Sequence, residues 1–284
     1  MNIIETKRDN KTYYKLNYSI KKDKKVITKT KYLGTSIPQN IEDIKAQFYR
    51  EVNKELFDKF DKIKINFQKE YKKIPDSAKQ KELEEIAISF TYNTNAIEGS
   101  TITLHETREL LKYKFAPNKS LNEIEETTNH AKVFLESLKK SEQINLKLIL
   151  KWHNDIFYQS KPDIAGKFRD YLVRVGSYLA PEEKEAKLMF KQLEKFLKNT
   201  KIHPVEIAAR AHYLFEKIHP FGDGNGRVGR ILLNYILWHK SFPMIIVEYK
   251  KREQYYKAFN KGEQGFVAYF VKIYLKTHQN RYLK

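Results

Sequence analysis

The stretch that decides the reading is His219-Pro220-Phe221-Gly222-Asp223-Gly224-Asn225-Gly226-Arg227-Val228-Gly229-Arg230, flanked by two apolar segments. Upstream, His203 to Ile218 reads as a helix with Pro204 in its first turn, where a missing N–H costs nothing. Ile207, Ala211, Leu214 and Ile218 fall on one face of it. Downstream, Ile231-Leu232-Leu233-Asn234-Tyr235-Ile236-Leu237-Trp238 reads as a second apolar helix. The loop between them holds glycine at 222, 224 and 226, so the backbone can turn tightly and approach a ligand with no Cβ in the way. Successive N–H groups at a helix N-terminus then make a concavity that suits phosphate.

The side chains around that concavity match the chemistry it suggests. Arg227 and Arg230 are three apart, on one side of the helix's first turns, where guanidinium forks grip polyphosphate oxygens. Asp223 is the only acid in the loop, and Mg²⁺ commonly takes one or two carboxylates together with phosphates and water. A hydroxyl nucleophile is weak at neutral pH, since even a phenol has a pKa of about 10. A neutral His219 beside the phosphates can take its proton during attack. Each component alone is ordinary: a lone histidine is usually structural, a glycine-rich turn is usually a turn, and surface arginine pairs are common. Their conjunction in strict order points to phosphoryl or nucleotidyl transfer.

The pattern His-Pro-Phe-x-Asp-Gly-Asn-Gly-Arg-x-x-Arg resembles the signature of the Fic (Fido) family, and residues 219–230 meet every position of it. The flanks are similar too: Pro204-Val205-Glu206-Ile207-Ala208, the Ile231-Leu232-Leu233-Asn234 exit, and Gly166-Lys167-Phe168-Arg169 followed by Val173-Arg174-Val175-Gly176. The likeness spans roughly residues 85–275. It implies a mainly α fold, a Fic helical core with a β-hairpin flap containing Val175. It also implies a protein adenylyltransferase that uses ATP and Mg²⁺. By that resemblance His219 is the base and Asp223 the metal ligand. Gly224, Asn225 and Gly226 hold phosphate oxygens, and Arg227 and Arg230 hold the β- and γ-phosphates. AMP passes to a Ser, Thr or Tyr hydroxyl of a target protein and pyrophosphate leaves. The intact loop favours AMP over other phosphate-linked groups. Tyr255 and Tyr256 resemble a family segment near the adenine, with simple core packing an equal reading. Asn234 reads as a structural cap on a helix contact, with a hydrogen bond near the nucleotide as the alternative, and Arg169 reads as a tie between flap and core.

Thr94-Asn95-Ala96-Ile97-Glu98-Gly99 is similar to the family's inhibitory pattern, Ser/Thr-x-x-x-Glu-Gly/Asn, in the class that carries it N-terminal to the core. Glu98 would then pair with Arg230 and withhold it from the γ-phosphate. Gly99 also reads as a helix C-cap, and both readings hold together. Some relatives use this glutamate to position water and remove AMP, so de-AMPylation stays open as the alternative reaction.

The remainder is organised as three stretches. Residues 1–40 read as a small antiparallel β module: strands over Thr12–Ile20 and Val26–Leu33 joined by a polar turn at 21–25. Residues 41–100 read as helices, from Ile41 to about Phe67 and from Ser77 to Ile97, ending in the inhibitory motif. Residues 101–284 hold the Fic domain and C-terminal helices, with helical patterns at 105–115, 121–138, 145–158 and 183–198. Phe168–Gly176 reads as one strand of the flap hairpin.

The net charge of +19 has two readings, attraction to anions and lysine-rich compositional bias. The basic, tyrosine-rich N-terminal module leaves nucleic-acid binding as a further alternative, with a solvated cap preferred. There is no Cys, which excludes disulfides and suits a reducing cytoplasm. No apolar run approaches the length of a membrane span. His130, His153, His203 and His212 have no second metal ligand at convincing spacing, so they read as packing or surface residues and no zinc site is expected. The expected partners are ATP and a target protein, with a homodimer left open because the family often dimerises.

Overall fold

The computed structural model describes residues 1–22, 25–176, 178–198 and 202–284. Two compact units divide it: Met1–Asp61 with the short stretch ending at His203, and the remainder.

The first unit opens with three antiparallel strands in the order β1 (Asn2–Arg8), β2 (Lys11–Lys22), β3 (Lys25–Gly34). The sequence suggests two strands, and the additional one is β1. Its partner register closes at Arg8↔Lys11 around Asp9 and Asn10, both at positive φ (48° and 58°). Asp and Asn tolerate that conformation, and two such residues form the tight turn that suits strand twist. The charged tail of β1 masks its alternation. The polar turn expected at 21–25 includes Asp23 and Lys24, which lie outside the described residues. Leu16 is fully buried, and Tyr18 packs on Tyr49 of α1 (Ile41–Val52) at 5.3 Å between rings. Tyr49 meets Phe57, which stacks on His203 at 4.7 Å. Among the described residues, then, His203 is a packing residue here, with Asp61 3.4 Å from its Nε2.

The long helix expected from Ile41 to Phe67 is two, α1 and α2 (Lys54–Lys73). Asn53 breaks it: its own side chain donates to the Tyr49 carbonyl at 2.8 Å, competing with the helical ladder.

In the second unit α3 (Asp76–Ile97) is followed by α4 (Leu104–Arg108), capped by Thr103 and Glu106 in reciprocal hydrogen bonds. The helix expected at 105–115 passes after Arg108 into a π-helical turn, Glu109–Tyr113, closed by Lys114 at φ 64°. Then come α5 (Leu121–Lys139), α6 (Leu146–Phe157) and α7 (Glu183–Leu197). The centre is α8 (Pro204–Ile218) and α9 (Asn225–His239), packed on each other. After α10 (Arg252–Phe259), which carries Tyr255 and Tyr256, comes α11 (Gly262–Tyr282); α7 and α11 flank α8, while α5 and α6 flank α9. The core position of α9 follows from its sequence, since Val228, Ile231, Leu232, Leu233 and Leu237 are at most 1% exposed. Asn234 is buried among them. Its amide donates to the Ile245 carbonyl and its oxygen accepts from the Ile245 N–H, both at 2.9 Å, so it is structural.

The strand expected over 168–176 is much shorter. Among the described residues the hairpin pairs only β4 (Arg174–Val175) with β5 (Tyr178–Leu179). Residues 168–173 follow an irregular path because Arg169 claims the neighbouring backbone carbonyls. Its guanidinium donates to the carbonyls of His219 (2.6 Å), Tyr171 (2.7 Å) and Pro181 (2.5 Å), and its N–H to that of Pro220 (2.9 Å). Arg169 therefore ties both ends of the hairpin to the loop that follows α8.

Candidate active site

The loop between α8 and α9 is locked from within. Asn225 donates its amide to the Phe221 carbonyl and accepts the Phe221 N–H, both at 2.9 Å. Phe221 is fully buried and stacks on His153 at 3.8 Å between ring centres. His153 in turn fixes the loop's outer edge. Its Nδ1 accepts the Gly166 N–H at 3.0 Å, so Nε2 carries the proton and donates to the Asp223 carbonyl at 3.0 Å. Burial holds the imidazole down at about 4, which keeps it neutral in this role. The expectation of a mere packing histidine is thus too weak for His153.

Gly224 sits at the N-cap of α9 with φ 76° and no side chain capping the helix. A Cβ there would lie 2.4 Å from the Phe157 ring, so only glycine fits. Among the described residues no side chain caps α9, so its first N–H groups face the place where an anion is favoured.

His219 lies at φ 49°, turned out of α8. Its Nδ1 is 3.3 Å from the Glu216 carbonyl, which can only accept, so Nδ1 carries the proton and the Nε2 lone pair is available. Burial pushes its pKa below the ordinary histidine value, which keeps the ring neutral and basic at physiological pH. Together with Glu98, Val175, Asp223, Gly224, Asn225, Gly226, Arg230, Tyr255 and Tyr256, His219 lines one cavity of about 620 Å³. That volume suits a small-molecule ligand. Tyr255 is buried, its hydroxyl 2.6 Å from His212 Nε2, whereas Tyr256 is 45% exposed at the cavity rim.

Arg230 is buried at the floor. Its Nε donates to the Thr94 hydroxyl, and its Nη2 to the Thr94 carbonyl at 3.1 Å and to Glu98 Oε1 at 2.6 Å. Glu98 ends α3, and Gly99, at φ 94°, closes the helix with Ser100: Gly99 N–H bonds the Ala96 carbonyl and Ser100 N–H that of Asn95. The Glu98 carboxylate also leans over the cradle, since a Cβ on Gly226 would lie 2.1 Å from its Oε1.

Arg227 faces elsewhere. It pairs with Glu126 of α5, lies over the Phe157 ring at 4.4 Å, and reaches Asp223 Oδ2 at 3.4 Å. It lines a second cleft of about 390 Å³ with Glu126, Lys161, Asp223 and Glu98, rather than the cavity that holds His219. Lys161 joins the cluster, 2.6 Å from Glu126 and 2.8 Å from Asp223. Burial raises the Asp223 pKa, but Arg227 and Lys161 outweigh it and hold the carboxyl below its ordinary value. Glu126, Lys161 and the tie made by His153 escape sequence reasoning. A hint exists for His153 alone, a polar residue among the apolar Leu148, Ile149, Trp152, Ile156 and Phe157 of α6; the buried face of α5 carries Thr127, His130 and Ser137 as well, so Glu126 does not stand out there.

The donor set fits a magnesium ion that arrives with a nucleotide. Asp223 offers a half-exposed carboxylate at the edge of the cradle, and oxygen ligands suit this ion. Among the described residues no three His, Cys, Asp or Glu side chains converge, so the remaining ligands would be phosphate and water.

Known proteins resemble this chain in sequence and in fold. A protein adenylyltransferase Fic of Nematostella vectensis is 34% identical over 199 residues, covering 67% of this chain and 47% of the relative. One of Drosophila ananassae is 34% identical over 189 residues, covering 64% of this chain and 38% of the relative. The chain thus spans half or less of the length of these curated relatives. Among solved structures, Fic-1 (residues 134–508) of C. elegans superposes with a TM-score of 0.68 at 27% identity, over 84% of this chain and 73% of the other. Residues 143–237, which run from before α6 through the cradle into α9, match the Fic/DOC family, and the chain belongs to that family.

Proposed function

We propose that the protein transfers AMP from ATP to a hydroxyl of a protein, and that Glu98 restrains it. One observation carries this reading. A neutral histidine with a free Nε2, a glycine cradle at a helix N-terminus, a carboxylate and a buried arginine all meet around one cavity.

In this reading the adenosine lies toward Tyr255 and Tyr256, and the triphosphate enters the cradle. The open N–H groups at the start of α9 bind phosphate oxygens and the helix dipole favours their charge. Asp223 would hold Mg²⁺, which neutralises phosphate charge when bound. His219 Nε2 takes the proton of the incoming hydroxyl as its oxygen bonds to the α-phosphorus, and the bond to pyrophosphate breaks. Asn225 and His153 act before chemistry by holding the loop in shape. Val175, exposed at the cavity mouth on β4, offers an edge to the target's backbone. Arg230 would receive the γ-phosphate once Glu98 releases it, and Thr94 keeps the guanidinium aimed in both states.

The test is incubation of the purified chain with ATP labelled at the α-phosphate, in lysate and alone, followed by intact-mass analysis. An AMP adduct that disappears in His219→Ala supports the reading. Labelling that persists without His219, or an adduct of another mass, refutes it.

A further inference from the structure

The Asp223 carboxylate is already occupied by the protein's own donors. Oδ1 accepts the Gly224 N–H at 2.6 Å, and Oδ2 accepts both Lys161 Nζ at 2.8 Å and Arg227 Nη2 at 3.4 Å. A divalent cation bound here must share or take an oxygen lone pair that one of these groups now uses, and it must also sit beside two positive charges.

The two cations are not equivalent. Arg227 is nearly buried, with a side chain 7% exposed, paired to Glu126 and lying over Phe157. Lys161 is 31% exposed and sits in a turn after α6, where its N–H bonds the Phe157 carbonyl at 2.8 Å. It has a second carboxylate within reach without moving its backbone, Glu126 Oε1 at 2.6 Å. Lys161 also approaches Asp223 from the second cleft and is not among the residues lining the His219 cavity. It therefore addresses the carboxylate from behind rather than from the place where phosphates would lie.

We propose that the Lys161 ammonium is a built-in competitor of the divalent cation at Asp223. It neutralises that carboxylate when no metal is bound and withdraws onto Glu126 when metal and nucleotide arrive together, so it sets how strongly the metal strengthens nucleotide binding. The inference rests on the nucleotide-transfer reading above and deepens it by naming a residue that tunes the metal dependence.

The test is a ratio of affinities. Calorimetry gives the Kd of AMPPNP in EDTA and in saturating Mg²⁺, and the first divided by the second is the metal enhancement. A direct attraction between Lys161 and phosphate enters both conditions and cancels. Lys161→Met keeps an unbranched side chain beside Phe157, over whose ring the ammonium now lies at 5.1 Å, and removes the charge, and the enhancement is expected to rise about tenfold, the scale of one charge-assisted hydrogen bond. Lys161→Arg, which keeps the charge, should stay near the parent value. Lys161→Gln serves as a second neutral variant, and melting curves verify the fold of each. An enhancement that is unchanged or lower in both neutral variants overturns the proposal, including the case where both Kd values move by one common factor. Failure of the unaltered chain to bind AMPPNP in either condition would instead sink the nucleotide reading, and this inference with it.

Discussion

Replacing Glu98 by glycine tests the restraint most directly, and its size can be worked from the geometry. Arg230 Nη2 and Glu98 Oε1 are 2.6 Å apart, with side chains 3% and 26% exposed, so solvent screens the pair only in part. A charge-assisted hydrogen bond of this kind contributes about 1.5–3 kcal/mol. That free energy, no longer opposing the γ-phosphate, corresponds to roughly ten- to 150-fold in the population of nucleotide-ready enzyme. The same substitution also clears the carboxylate from above Gly226, where Oε1 occupies the space a Cβ would need. The helix end should survive, because its closure uses the backbone N–H groups of Gly99 and Ser100 rather than the Glu98 side chain. The assay is the initial rate of label transfer from α-labelled ATP, with melting curves of both proteins. Glu98→Gln provides the comparison: the amide still lies over Gly226 and still accepts from Arg230, but without charge, so its rate should fall between the other two. Equal labelling rates for folded Glu98→Gly and the parent would refute the reasoning.

Three other substitutions separate loop geometry, core structure and titration. His153→Leu leaves the Gly166 N–H and the Asp223 carbonyl without their partner, and should cost about 2–4 kcal/mol in urea unfolding with at least a tenfold loss of labelling rate. Asn234→Leu orphans both backbone groups of Ile245 and should cost a similar amount, about 2–4 kcal/mol, while AMPPNP affinity measured on folded protein stays at the parent value. Glu216 lines the cavity with its Oε1 buried, 4.0 Å from His212 Nδ1 and without a hydrogen-bond partner among the described residues, and burial pushes its carboxyl from 4.5 up to about 8. The folded protein therefore holds a proton that the unfolded chain releases above pH 4.5, and this contribution to stability is complete below that pH and lost as pH rises to about 8. The melting temperature of the parent should accordingly fall relative to Glu216→Gln between pH 5 and about pH 8, and a difference that does not vary with pH would count against it.

What the sequence makes legible is what lies close together along the chain. The cradle can be read because His219, Asp223, the glycines and Arg230 act within one turn-and-helix, and the α8 and α9 patterns bracket it. Helix positions follow from apolar spacing for the same reason, and they hold for α3, α5, α6, α7 and α8. The failures are of two physical kinds. Asn53 and Arg169 break expected elements by hydrogen-bonding backbone groups, and nothing in apolar spacing records that competition. The second kind concerns partners far apart in the chain. Arg227 looks equivalent to Arg230 on the helix, three residues away, yet Glu126, 101 residues earlier, turns it to a different cleft.

That divergence bears on how the site would work. The two arginines of the motif are held by two carboxylates on two helices, Arg230 by Glu98 at the end of α3 and Arg227 by Glu126 on α5. Glu98 is 26% exposed and itself lines the cavity of His219, so in the proposed reading an arriving phosphate displaces it. Glu126 is 12% exposed, holds Lys161 as well, and lies behind Asp223, where a phosphate in the cradle does not reach. In the proposed reading, then, one pair opens and the other stays closed. Neutralising Glu126 should then act opposite to neutralising Glu98. In Glu126→Gln, Arg227 and Lys161 lose their shared anion and lean more on Asp223, the carboxylate that both already reach. A more heavily neutralised Asp223 binds a cation less well. Label transfer at low Mg²⁺ should drop in Glu126→Gln and recover at high Mg²⁺, whereas Glu98→Gly should raise it at both. A Glu126→Gln protein that is folded and activated like Glu98→Gly would show that the two carboxylates restrain the site in the same way, and the division between an opening pair and a fixed pair would be wrong.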